Sequence, residues 1–185
     1  MATIIFDFDN TLYNTSKLKE DLFKIFLEHN ISQKDINSSY SRVLRTSGYS
    51  YEKHLQILNS LYKDLPAKAI IKKIKLLKLE LYVFPGRIQL LNSLSKKNHL
   101  ILLTKGDLKF QKLKIKKSKL GKYFKKIIIT NENKVKTLRK TNFKNPIYFI
   151  NDNEKENHEI AIKNPNFFII KNKNGGPIKV LRTKI

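Results

Sequence analysis

Apolar residues follow two rhythms along this chain. Ile4, Ile5 and Phe6 run together into Asp7, as in a parallel strand buried on both faces whose C-terminal end opens into a polar crevice. Residues 16 to 82 contain no convincing strand. Ser16 is placed to cap a helix through about Asn30, with Leu18, Leu22, Phe23, Ile25, Phe26 and Leu27 on its apolar face. Ser32 caps a second helix to roughly Thr46, and TSGYSYEK breaks it. A third runs from about Tyr51 to Lys63, and Pro66 occupies the first turn of a fourth carrying Ile70, Ile71, Ile74 and Leu77.

From Phe84 helix and strand alternate, the sign of a parallel sheet. Pro85-Gly86 leads into a helix to about Lys97, with strands expected at 99–104, 126–130, 147–150, 167–170 and 178–181. Helices are expected at 107–118, from Lys134 or Val135, and at 154–163. The predicted class is α/β, a Rossmann-like parallel sheet flanked by helices. Residues 1–14 and 84–185 form the core and 15–83 an inserted α-helical domain.

Composition narrows the function classes. The 185 residues hold one domain of ordinary size, or a core with a modest insertion. The absence of cysteine excludes disulfides, thiolate metal sites and cysteine nucleophiles. No apolar run reaches a membrane span, and the chain enters its first strand without room for a signal peptide, so a soluble cytoplasmic protein is expected.

The net charge of +23 comes almost entirely from lysine, with arginine only at 42, 45, 87, 139 and 182. Lys, Asn, Ile and Tyr are abundant together, the bias of an AT-rich genome, and the default reading is a solvated basic surface. A selected anion-binding face is the alternative. The densest basic run, 109–126, carries Phe110, Leu113, Ile115 and Leu120 at roughly helical spacing. It reads as an amphipathic helix with a solvated basic face, and a nucleic-acid stripe is possible but not favoured, since no recognition motif accompanies it.

Alternation along an extended chain puts Asp7, Asp9 and Thr11 on one side and Phe8 on the other. Ligands of open α/β sheets bind at that end of the strands. A carboxylate there suits attack on a phosphomonoester, with a second acid to protonate the departing oxygen and a cation to offset charge. Asp-Asn after a strand is also ordinary turn chemistry.

Four stretches in order resemble the haloacid dehalogenase (HAD) superfamily, most of whose members are Mg-dependent phosphatases. They are DFDNT at 7–11, HLILLT ending at Thr104, NENKVKTL with Lys134, and IYFINDNEKE with Asp152. The resemblance implies that the helical insertion is a cap selecting the substrate. It makes Asp7 the nucleophile and Asp9 the general acid/base, whose presence argues for phosphoryl transfer. Thr104 and Lys134 would bind phosphate, with Lys136 a rival to Lys134. Mg2+ would be held by the side chains of Asp7 and Asp152 and the carbonyl of Asp9.

The chain departs from the family where a second acid commonly follows the fourth-motif aspartate. Glu156 is favoured for that supporting place over Asn157 or Glu154. Thr11 is expected to stabilise the turn, and Phe8 and Asn10 to offer backbone amides to phosphate. Around Gly48, Arg42, Arg45, Tyr49, Tyr51 and His54 either form a specificity loop or pack a small bundle, with Arg45, Tyr49 and His54 the candidates for substrate contact.

The expected activity is Mg2+-dependent hydrolysis of a small phosphorylated metabolite through an aspartyl-phosphate. DNTLY is similar to the first motif of some pyrimidine nucleotidases, which suggests a nucleoside monophosphate; a sugar phosphate is the other option. The rival readings are a HAD-type phosphomutase and a non-catalytic module binding nucleic acid or protein through its basic surface.

Overall fold

A computed structural model describes residues 1–46, 48–172 and 175–178 of the chain. Its five parallel strands are β1 (Thr3–Phe6), β2 (His99–Lys105), β3 (Lys126–Thr130), β4 (Ile147–Asn151) and β5 (Phe167–Lys171). They lie in the order β3-β2-β1-β4-β5. The all-apolar β1 takes the centre, with Phe6 in register with Leu102 of β2 and Ile150 of β4. A strand hydrogen-bonded on both edges and covered on both faces has no polar side to show, hence the continuous apolar run.

Alternation divides the core in two. Ile4 and Phe6 face a large cluster with Leu102, Ile150 and Phe110, whereas Ile5 faces a smaller one with Leu103, Val135, Phe149 and Ile160. Fully burying one such side chain is worth about 1.5–3 kcal/mol. Helices α5 (Arg87–Ser95) and α6 (Leu108–Lys117) cover the first face, and α7 (Lys134–Arg139) and α8 (Glu154–Lys163) the second.

Between β1 and α5 lie α1 (Thr15–Leu27), α2 (Gln33–Leu44), α3 (Tyr51–Leu61) and α4 (Ala67–Leu76). Ser32 caps α2 as expected, its hydroxyl accepting from Asp35 N at 3.1 Å. The cap of α1 is Asn14 rather than Ser16, because Asn10 Oδ1 already engages the Ser16 amide and hydroxyl at 3.0 and 3.1 Å. Leu27 closes α1 while 42% exposed, so it falls off the predicted apolar face. The strand expected at 178–181 lies, beyond Ile178, outside the described residues. No helix among the described residues is long and apolar enough to cross a membrane.

The insertion touches the core where the strands end. Lys53 of α3 pairs with Asp107 at 2.6 Å in the loop after β2. Gly48 approaches Gly106 so closely that a Cβ would stand 2.7 Å from its Cα, and its φ of +89° suits glycine independently.

Candidate active site

The carboxyl ends of β1, β2 and β4 open on one cavity of ≈ 580 Å3. Asp7, Asp9, Lys134, Asp152 and Glu156 line its sheet side, and Lys19, Tyr40, Arg45 and Tyr49 reach it from the insertion. Residues distant in sequence meet here because parallel strands deliver their last residues to one edge. The Asp7 amide donates to Ile150 O at 2.9 Å, which fixes the first carboxylate beside the end of β4.

Asp7 is 4% exposed, and its Oδ1 accepts from Lys134 Nζ at 2.6 Å. Lys134 begins α7 and also reaches Glu156 Oε2 at 2.9 Å. Asn151 Nδ2 holds the same Glu156 oxygen at 2.9 Å and Asn157 Oδ1 at 3.1 Å. Burial pushes the Asp7 carboxyl up to about 7; Lys134 opposes the rise, and Asp9 and Glu156 add to it. Burial pulls the Lys134 ammonium down, but Asp7 and Glu156 outweigh it and the net shift is upward.

Asp9 sits in a different setting. Thr15 Oγ1 and Lys114 Nζ both bond its Oδ1, and Gln111 Nε2 donates to its Oδ2 at 2.6 Å. Burial would raise this carboxyl, but Lys114, with the Thr15 and Gln111 bonds, brings it below the ordinary value. Gln111 Nε2 also reaches Thr104 Oγ1 at 3.2 Å.

Several predicted residues converge here and several do not. Lys134 reaches Asp7, whereas Lys136, two residues on and on the opposite side of the helix, is exposed. Glu156 joins the Asp7–Lys134 pair, and Asn157 is buried against Asn151. Arg45 and Tyr49 line the cavity. His54 does not: it is fully buried in the insertion, bonded to Ser39 at 2.7 Å and Tyr49 at 3.2 Å and packed edge-on to Phe26.

Thr104 is the buried penultimate residue of β2, with its hydroxyl turned to Gln111, and is not on the cavity wall. Thr11 also departs from expectation, because Asn10 at φ +53° turns the chain and ends the alternation. Its hydroxyl is buried without a partner among the described residues, and its carbonyl steadies the turn by accepting from Arg87 Nε at 3.0 Å and Asn172 Nδ2 at 3.4 Å. The Asn10 amide donates to Tyr13 O at 2.7 Å.

The sequence reading missed Lys114, Gln111, Thr15 and Asn151. Lys114 was assigned to a solvated face, yet it is 2% exposed. Its signal is position: it lies four residues after Phe110 and beside Ile115, on the apolar side of α6.

The oxygens at these strand ends fit a small hard cation. Lys134 occupies only Oδ1 of Asp7. Asp152 is half-buried on the same cavity, its carboxyl raised by burial, with Lys134 pulling it down and Asp9 and Glu156 pushing it up. The carbonyl of Asp9 accepts no backbone hydrogen bond among the described residues. No cluster of three or more His, Cys, Asp or Glu able to hold a metal occurs among those residues. Two carboxylates and a carbonyl, completed by water and substrate, is a donor set of the kind Mg2+ takes, rather than one for zinc.

A parallel sheet with paired aspartates at the end of its central strand defines a class, and sequence comparison agrees with it. A family model for haloacid dehalogenase-like hydrolases matches residues 1–146, and the chain belongs to that family. No curated protein matches it. Among solved structures, a haloacid dehalogenase-like hydrolase of Burkholderia xenovorans LB400 has a TM-score of 0.77 at 17% identity, over 92% of this chain and 81% of that one. The HAD-hydrolase YfnB of Bacillus subtilis, bound to magnesium, gives 0.57 at 13% identity over 86% and 85%. An L-2-haloacid dehalogenase of Xanthobacter autotrophicus gives 0.55 at 13% over 92% and 77%. At such identities the likeness concerns the fold.

Proposed function

We propose that this hydrolase removes phosphate from a small phosphomonoester with Mg2+, through an aspartyl-phosphate at Asp7. The carrying observation is geometric: Asp7, joined to Lys134, and Asp9, joined to Lys114 and Gln111, face one cavity at the carboxyl end of the central strand.

Asp7, ionised, attacks phosphorus as the bond to the leaving oxygen breaks, and Asp9, entering this step in its protonated form, gives its proton to that oxygen and is left as a carboxylate. A water then gives its proton to Asp9 and attacks the same phosphorus, releasing phosphate and restoring Asp7. Lys134 holds the Asp7 carboxylate and offers positive charge to the phosphoryl group. A bound Mg2+, held by Asp7, Asp152 and the Asp9 carbonyl, would offset the negative charge of the phosphoryl oxygens. General acid/base help of this kind is worth about 100- to 10,000-fold.

Asp9 favours this reading over displacement of a halide, which needs no proton donor for its leaving group. The insertion serves as the cap, with Arg45 and Tyr49 facing the substrate. The cavity has room for a small metabolite, and the resemblance of DNTLY to the first motif of some pyrimidine nucleotidases puts a nucleoside monophosphate first and a sugar phosphate next. A phosphomonoester panel assayed with and without Mg2+, with Asp7→Asn as control, tests it. Metal-independent turnover, or full activity in the variant, would defeat the proposal.

A further inference from the structure

Lys114 is unexplained by the roles assigned so far. Lysine is almost never fully buried without a partner. Here its Nζ lies 5.4, 5.6 and 5.4 Å from the ring centroids of Phe8, Tyr13 and Phe110, and its ion-pair partner is Asp9. Gln111, three residues earlier on the same face of α6, donates to the other Asp9 oxygen. One helix thus aims two donors at the two oxygens of one carboxylate, and the second donor continues to Thr104 at the end of β2.

Folding alone does not require this arrangement. Replacing both members of a buried ion pair by apolar side chains of similar volume is often neutral or stabilising, so stability alone is a weak reason for keeping this one. A methionine could not hold a carboxylate. We propose that Lys114 and Gln111 are positioning residues that set where the Asp9 carboxylate points relative to Asp7, with Gln111 tying that orientation to Thr104. The kinetic consequence rests on the phosphatase reading, whereas the geometric one does not.

Lys114→Met and Gln111→Met, made in the full chain, test this in two ways. Crystal structures of the variants are compared with the wild type for the placement of the Asp9 carboxylate. Its displacement in Lys114→Met is expected, and an unmoved carboxylate would overturn the proposal.

The second arm measures kcat/KM with Mg2+ on 4-nitrophenyl phosphate, whose leaving group departs without a proton, and on an alkyl phosphate, whose leaving group needs one. Lys114→Met should lower the alkyl value about 100-fold and the nitrophenyl value less than about 10-fold. Gln111→Met should show the same asymmetry at about 10-fold on the alkyl ester, and it carries the test if Lys114→Met fails to fold. On an Asp9→Asn background, Lys114→Met should cost less than about threefold, as expected if both changes act through one group.

Equal loss on both esters, or a full additive loss on the Asp9→Asn background, would reduce Lys114 to a packing residue. A wild type inactive on both esters would instead sink the hydrolase reading, and the crystallographic arm would still decide the placement of Asp9.

Discussion

From α7 on one face of the sheet Lys134 meets Asp7; from α6 on the other face Lys114 meets Asp9. Each pair is an aspartate with a buried lysine, yet the carboxyls shift in opposite directions. The difference lies in how charge is shared. Lys134 is divided between Asp7 and Glu156 and also faces Asp152, leaving that side short of positive charge. Lys114 serves Asp9 alone, helped by two neutral donors, so that side is balanced. The side short of positive charge is the one to which the proposed function assigns Mg2+.

The largest effect that would separate the two sides is on turnover. Asp7→Asn should lower kcat by at least about 10,000-fold, since losing a nucleophile removes the covalent route. Asp9→Asn should cost about 100- to 10,000-fold, concentrated on esters with poor leaving groups. Steady-state assays on both variants check this, and similar losses on every ester would erase the division of roles.

Stability gives the next contrast. Lys134→Met strands Asp7 and Glu156 without their cation and should cost about 3–5 kcal/mol in urea unfolding. Lys114→Met should cost less, about 1–3 kcal/mol, because Asp9 keeps Thr15 and Gln111 and its side chain is 26% exposed.

The pH dependence of the metal-free protein sharpens the comparison through its sign. Folded Asp7 titrates near 7 instead of at 3.8, so the folded chain keeps a proton that the unfolded chain releases. Stability from this group therefore falls as pH rises between those values. Asp9 acts oppositely: its lowered carboxyl stabilises the fold above the ordinary carboxylate range, and that contribution is lost as pH falls through its folded value. Urea midpoints followed from about pH 2 to 8 should lose the first slope in Asp7→Asn and the second, at the acid end, in Asp9→Asn. The smallest expected effect is Lys136→Ala, within about 0.5 kcal/mol by urea unfolding because the residue is exposed.

The same comparison shows what could be read from the amino-acid order. Strands and their ends were legible because a run such as Ile4-Ile5-Phe6 leaves no polar face. Asp7 and Lys134 followed as the residues that end a strand and begin a helix. Lys114 was hidden because a chain with 38 basic residues makes any one lysine look like solvated surface. Thr11 misled because strand alternation was extended past Asn10, where the backbone turns left-handed. His54 misled for a third reason: its neighbours in sequence line the cavity, but its own ring turns into the cage of Phe23, Phe26, Tyr40 and Tyr49.

The central claim is that Asp7 becomes the phosphorylated group. Rapid-quench turnover of a phosphomonoester with Mg2+, followed by peptide mass analysis, tests it most directly. The account predicts a phosphoryl group on Asp7 during turnover and none in Asp7→Asn. Phosphate released while Asp7 stays unmodified, or a phosphoryl group trapped on another residue, would contradict it.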